Sequence, residues 1–140
     1  ALGCPVGSCL AFPVEARRDV WEIRKRLGGG MRQSGILAAA VLYALDHNLD
    51  RIAEDHANAK ALAAGLRGHP AIRPLEPDSN IVMLDLAREQ DSADTVIPRL
   101  AERREEVSPY GPKRLRAVTH LDVDHEGIDR ALVIIAEVLA

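Results

Sequence analysis

The sequence predicts a mixed α/β chain that closes in a small α+β unit, and three observations predict it. Residues 80–86 and 115–121 have the length and apolar composition of strands. Leu49, Ile52, Ala53, His56, Ala59, Leu62, Ala63 and Leu66 recur at helical spacing, and Ile128, Ala131, Leu132, Ile135 and Leu139 repeat the pattern near the C-terminus. Ahead of both, residues 36–45 are apolar at all ten positions, counting Tyr43. A helix apolar all round is buried on every side.

Taken in order, residues 1–7 carry two glycines and a proline and form a loop. Residues 8–12 read as a short buried strand, bounded by Pro13. Pro13 suits the first turn of a helix running to Leu27. Val20, Ile23 and Leu27 mark its buried stripe, with Trp21 beside it, and Arg17, Arg18, Arg24, Lys25 and Arg26 hold the other face. The apolar helix 36–45 implies packing against a part of the protein outside this sequence or against a second subunit. Asn48 is the expected N-cap of the next helix, which Gly65, Gly68 and Pro70 end. Short strands and turns follow, then a helix over 95–104, placed so that Pro98 falls in its first turn. Residues 108–112 are a turn cluster, and Asp124 caps the last helix. Two strands and three helices thus make the α+β unit from residue 49 onward.

Composition narrows the function classes. The chain is 47% apolar and 28% charged, as globular proteins are. Its one Trp, two Tyr and one Phe leave the core to aliphatic residues. A formal net charge of -3 argues against nucleic-acid binding, which needs a broadly basic face. Cys4 and Cys9 are too few for a disulfide framework and read as small buried hydrophobes in a reducing compartment. No apolar run reaches the roughly 18–20 residues that span a bilayer. The opening, without a methionine, reads as the start of the C-terminal portion of a longer polypeptide.

Two stretches are candidates for chemistry. From Arg17 to Arg32 there are six Lys/Arg against two acids, and Gly28-Gly29-Gly30 sits among them. This is either a helix C-cap with cations in its last turn or an anion site built on glycine N–H groups. Ile36-Leu37 stand where a P-loop needs Lys and Ser/Thr, and Gln33 breaks the dinucleotide fingerprint. On the second strand, Arg114, Arg116, Val118 and His120 share a face. That face is either solvated or aims an arginine into a cleft, where its fork grips a carboxylate. The remaining histidines have no metal-ligand spacing, and Asp122-Val123-Asp124 lacks the glycine and distal glutamate of a calcium loop. The sequence therefore predicts no metal site, and no Ser/His/Asp or Cys/His set.

Three segments together resemble one family. They are Ala1-Leu2-Gly3-Cys4-Pro5-Val6-Gly7-Ser8, the run from Arg24 through Gly-Gly-Gly-Met-Arg-Gln to Asn48, and Leu115-Arg116-Ala117-Val118-Thr119-His120-Leu121-Asp122. Glu54-Asp55-His56-Ala57-Asn58-Ala59 is also similar to its pattern. The family is that of the low-specificity L-threonine aldolases, among the fold-type-I enzymes that use pyridoxal 5'-phosphate. The resemblance implies an aldehyde-lyase that splits L-threonine or L-allo-threonine into glycine and acetaldehyde by retro-aldol cleavage. It implies that residues 1–48 end the large cofactor-binding domain and that 49–140 form the small C-terminal domain. The Schiff-base lysine is expected immediately before Ala1, so no catalytic residue falls within the sequence. By the same resemblance Arg116 binds the substrate α-carboxylate, and Lys25 and Arg32 lie near the cofactor phosphate, within one subunit or across two. A cytoplasmic homodimer or homotetramer acting on a small β-hydroxy amino acid, with no nucleic-acid or membrane partner, completes the expectation. Cys4 replaces a more usual alanine, and the turn 108–113 is bulkier than the family's glycine-rich one. Both leave reaction type untouched, but the turn opens the choice of substrate to phenylserine or 3-hydroxyaspartate. Read without the resemblance, the fragment is a non-catalytic dimerisation module.

Overall fold

Burial alternates along Ile81–Leu86, and this alternation organises the fold. In the computed structural model, which describes residues 2–140, this strand (β2) turns Val82, Leu84 and Leu86 inward and leaves Ile81, Met83 and Asp85 outward. Arg114–Val118 (β4) pairs antiparallel with it, setting Val82 opposite Ala117 and Leu84 opposite Leu115. Ile72–Pro74 (β1) lies on the far edge of β2, and the two-residue Ser108–Pro109 (β3) lies beyond β4. The sheet is antiparallel throughout, in the order β1-β2-β4-β3.

Three helices cover its inward face: Ile52–Gly65 (α3), Ala93–Glu102 (α4) and His125–Val138 (α5). Ala59, Leu62, Ala63 and Leu66 from the first, Val96 and Leu100 from the second, and Ile128, Ala131, Ile134, Ile135 and Val138 from the third join the strands in one core. The last helix is capped as expected, with the Asp124 carboxylate accepting from the Gly127 N–H at 2.8 Å. Leu132 is half-buried rather than buried. The middle helix starts two residues early, on a reciprocal capping box of Ser92 and Thr95. Pro98 therefore lies beyond the first turn, where its missing N–H deprives a carbonyl of its donor. Asp94, four residues back, is exposed, so water can take that carbonyl.

The N-terminal third corrects several expectations. Residues 8–12 form no strand; they are exposed and have no pairing partner among the described residues, and a lone segment gains nothing from extending. A short 3-10 turn, Val14–Ala16, leads into the basic helix Arg17–Arg26 (α1). Its stripe is not covered: Trp21 is 53% and Leu27 82% exposed, and only Val20 is half-buried. Of the apolar helix Gly35–His47 (α2), only Ala44 is buried, and Ile36 is 78% exposed. The described residues offer no layer to cover these faces. Asn48 is not the cap of α3, which has no side-chain cap. Its amide donates instead to the Leu2 carbonyl at 2.9 Å, which a helix-start motif cannot reveal. Cys9 is exposed and Cys4 half-buried, so they are not core residues of this chain. Among the described residues no helix is long and apolar enough to cross a membrane.

Candidate functional site

The outward face of the sheet carries two arginines with opposite fates. Arg114 donates through Nε and Nη2 to the two oxygens of Asp85, at 2.5 and 2.9 Å. The strand register makes this fork possible, since it sets Asp85 directly opposite Arg114. Hydrogen bonding from Arg114 holds the Asp85 carboxyl below its ordinary range against a smaller opposing effect of burial, and the charges of Arg114 and Arg73 add to the lowering. The same hydrogen bond and charge push Arg114 upward.

Arg116, two residues on, has no acidic partner among the described residues, and its Nε is buried without a hydrogen bond. Met83 and Ser108 flank it on the neighbouring strands. It opens into a cleft of about 420 Å³, lined also by Glu105, Val107, Val118 and His120. A buried guanidinium nitrogen left unsatisfied is costly, so this geometry calls for an acceptor. The expected sharing of a face by Arg116, Val118 and His120 is observed at this cleft, although β4 ends at Val118 rather than at 121. His120 is held by its own turn, its Nδ1 accepting from the Asp122 N–H at 3.3 Å. Glu105, which the sequence did not single out, has its carboxyl raised by burial, with Arg130 opposing.

At the other candidate stretch the glycines close α1. The Gly28 N–H donates to the Lys25 carbonyl at 3.1 Å and the Gly29 N–H to the Arg24 carbonyl at 2.8 Å. That pair of bonds is the Schellman arrangement, and Gly28 takes the left-handed φ of +83° it demands. The Gly30 N–H is also engaged, by the Gly28 carbonyl at 2.8 Å. The glycine N–H groups are thus used by the helix end, and the reading in which they cradle an anion is corrected to a cap. What remains for an anion is the side chains. Lys25 lies with Nζ 5.3 Å from the Trp21 ring centre and packs over Gly30, while Arg32 is exposed in the turn before α2. Neither is in an ion pair among the described residues. Neither lines the Arg116 cleft, so this chain does not bring the three cations into one pocket. Among the described residues no group of three or more His, Cys, Asp and Glu is placed to hold a metal.

Comparison with known proteins agrees with this architecture. The family model described as beta-eliminating lyase matches residues 1–89. The low specificity L-threonine aldolase of Escherichia coli K12 is 40% identical over 125 residues, covering 89% of this chain and 36% of the relative. Low-specificity L-threonine aldolase 1 of Arabidopsis thaliana is 37% identical over 125 residues, covering 85% of this chain and 34% of the relative. The chain therefore spans little more than a third of these relatives. Among solved structures, the cystine C-S lyase C-DES in complex with cysteine persulfide superposes with a TM-score of 0.60 at 22% identity, over 74% of this chain and 28% of that one. A phospholyase from Arthrobacter superposes with a TM-score of 0.59 at 20% identity, over 72% of this chain and 27% of that one. These likenesses show the expected fold-type-I architecture, and the threonine aldolase resemblance read from the motifs is borne out in sequence. By its match over residues 1–89, the chain belongs to the beta-eliminating lyase family.

Proposed function

We propose that the polypeptide containing this chain is a pyridoxal 5'-phosphate-dependent aldolase that cleaves L-threonine or L-allo-threonine to glycine and acetaldehyde. The observation that carries the reading is the contrast on β4, where Arg114 is neutralised by Asp85 and Arg116 keeps a buried, unsatisfied Nε. An α-carboxylate is the planar, bidentate acceptor that such a fork fits. Threonine aldolase relatives from a bacterium and a plant support the same chemistry.

In this reading residues 1–48 belong to the cofactor-binding domain and 49–140 form the small domain that presents Arg116. Lys25 and Arg32, two cations without carboxylate partners beside a capped helix end, suit the dianionic phosphate of the cofactor. A variant of C-DES has been solved with glycine covalently linked to its PLP cofactor. When bound, the cofactor supplies an electron sink for the pair released as Cα–Cβ breaks. The task of Arg116 in this reading is orientation: it would hold the carboxylate, and with it the Cα–Cβ bond, in one pose against the bound cofactor. The exposed apolar faces of α1 and α2 belong in this reading to a homodimer or homotetramer and to the rest of the polypeptide. Two free thiols accord with a reducing cytoplasm.

A second reading within the class is an aldolase for a bulkier β-hydroxy amino acid, such as phenylserine or 3-hydroxyaspartate. Its motive is the departure of residues 108–113 from the family's glycine-rich turn, although Tyr110, Pro112 and Lys113 line the Arg114 end of β4 and not the Arg116 cleft. The deciding experiment is glycine release by the full-length polypeptide from L-threonine, L-allo-threonine and phenylserine, with Arg116→Ala as control. Release from none of them by the cofactor-loaded protein rules out the proposal.

A further inference from the structure

We infer that Thr119 and Asn58 are positioning residues for Arg116, holding the turn that follows its strand. This rests on the reading of Arg116 as the carboxylate-binding residue and gives the Glu54–Ala59 motif a role. Beyond Val118 the sheet ends, and six residues, Thr119 to Asp124, carry the chain into α5. This turn is held from outside the strand. The Thr119 hydroxyl, in a residue only 2% exposed, donates to the Asp55 carbonyl of α3 at 2.6 Å. Its other near acceptor, the Asn80 carbonyl, is at 3.3 Å, and a hydroxyl has one proton to give. One turn further along α3, Asn58, 4% exposed, donates its amide to the Val123 carbonyl at 2.9 Å. Asn80, just before β2, closes the near end: its amide donates to the Thr119 carbonyl at 2.7 Å and its carbonyl accepts the Thr119 N–H at 3.0 Å.

The consequence concerns β4 as a whole. Its first residue is clamped by the Asp85–Arg114 fork, and the residue after its last is clamped by Asp55 and Asn80. Arg116 is midway between the clamps, and His120, which shares its cleft, belongs to the clamped turn. Releasing one end of so short a strand frees it to shift by fractions of an ångström, which is the scale on which orientation fails. Asn58 and the backbone carbonyl of Asp55 therefore act on Arg116 through the turn.

The test uses the full-length, cofactor-loaded polypeptide, with glycine as the probe and two readouts, thermal midpoint and glycine affinity from the change in cofactor absorbance. Thr119→Val keeps the shape and removes the hydroxyl. It should retain the cofactor spectrum and bind glycine about tenfold more weakly. Thr119→Ser, which restores the donor, should return affinity to within about threefold of the parent, and Asn58→Ala should weaken it in the same direction. A Thr119→Val protein that melts earlier but binds glycine as the parent does overturns the inference, as does failure of Thr119→Ser to restore binding. Should Thr119→Val not fold, unchanged glycine affinity in Asn58→Ala overturns it. If the parent binds no glycine, or Arg116→Ala binds it normally, the carboxylate assignment falls and takes this inference with it.

Discussion

Arg114 and Arg116 occupy alternate positions on one face of β4, yet only Arg114 meets a carboxylate, the one that the strand register places opposite it. A cation paired with a carboxylate and one without such a partner among the described residues are thus separated by a single residue, and substitution can tell their roles apart.

At Arg116 the expected outcome is a loss of turnover without loss of cofactor. Arg116→Ala should keep the cofactor's absorbance and lower kcat/KM for L-allo-threonine by about 100-fold. Arg116→Lys should rescue poorly, because a point charge cannot reproduce two parallel hydrogen bonds. Parallel spectra and glycine assays on both variants check this, and near-parental kcat/KM in Arg116→Ala refutes it.

The Asp85–Arg114 pair should register in stability instead. Asp85 is held below its ordinary value near 3.8, so the stabilisation is present above that value and is lost as pH falls through the lower, folded-state one. Glu105, raised from 4.5 by burial, works the opposite way, favouring the folded chain as it protonates. Asp85→Asn should therefore flatten the loss of urea stability below about pH 4, whereas Glu105→Gln should remove a gain that sets in as pH falls towards about 4.5. The pair is partly exposed, so the change will be small and weaker in high salt. Identical pH profiles for parent and Asp85→Asn count against the pairing.

Arg32→Ala should weaken cofactor retention. A charge-assisted contact is worth about 1.5–3 kcal/mol, which corresponds to about 10- to 100-fold in affinity. Dialysis followed by the visible spectrum measures it, and full retention removes Arg32 from the phosphate site.

The uncovered helices bear on assembly. Trp21, Leu27, Ile36 and Leu42 are each more than half exposed on α1, its C-terminal end and α2. The full-length protein is expected to sediment at micromolar concentration as a dimer or larger. A stable, active monomer defeats that expectation.

What was legible in the sequence was local. The alternation in residues 80–86, the stripe of α5 and the Asp124 cap each need only their own neighbours, and each is observed close to where it was read. The helices of the N-terminal third were legible as helices, but not the exposure of their apolar faces, because burial depends on what lies opposite. Residues 8–12 had strand composition but no strand to pair with. Asn48 looked like a cap because its actual partner, Leu2, is 46 residues away. The same holds at the site: Arg116 was visible through its motif, whereas Asp85 could not be matched to Arg114 without the register. Thr119 and Asp55, 64 residues apart, gave no sign of touching.

The Schellman end of α1 bears on how an anion is held beside it. A loop that offers its backbone grips through fixed dipoles, largely indifferent to the surrounding electrolyte. Here the backbone donors are turned into the helix, and in the proposed reading the grip falls to two long, solvent-facing side chains, Lys25 and Arg32. Such charges are screened within about 8 Å at physiological ionic strength. The phosphate end of the proposed cofactor site is therefore expected to loosen as ionic strength rises, with sulfate competing directly for the same two cations.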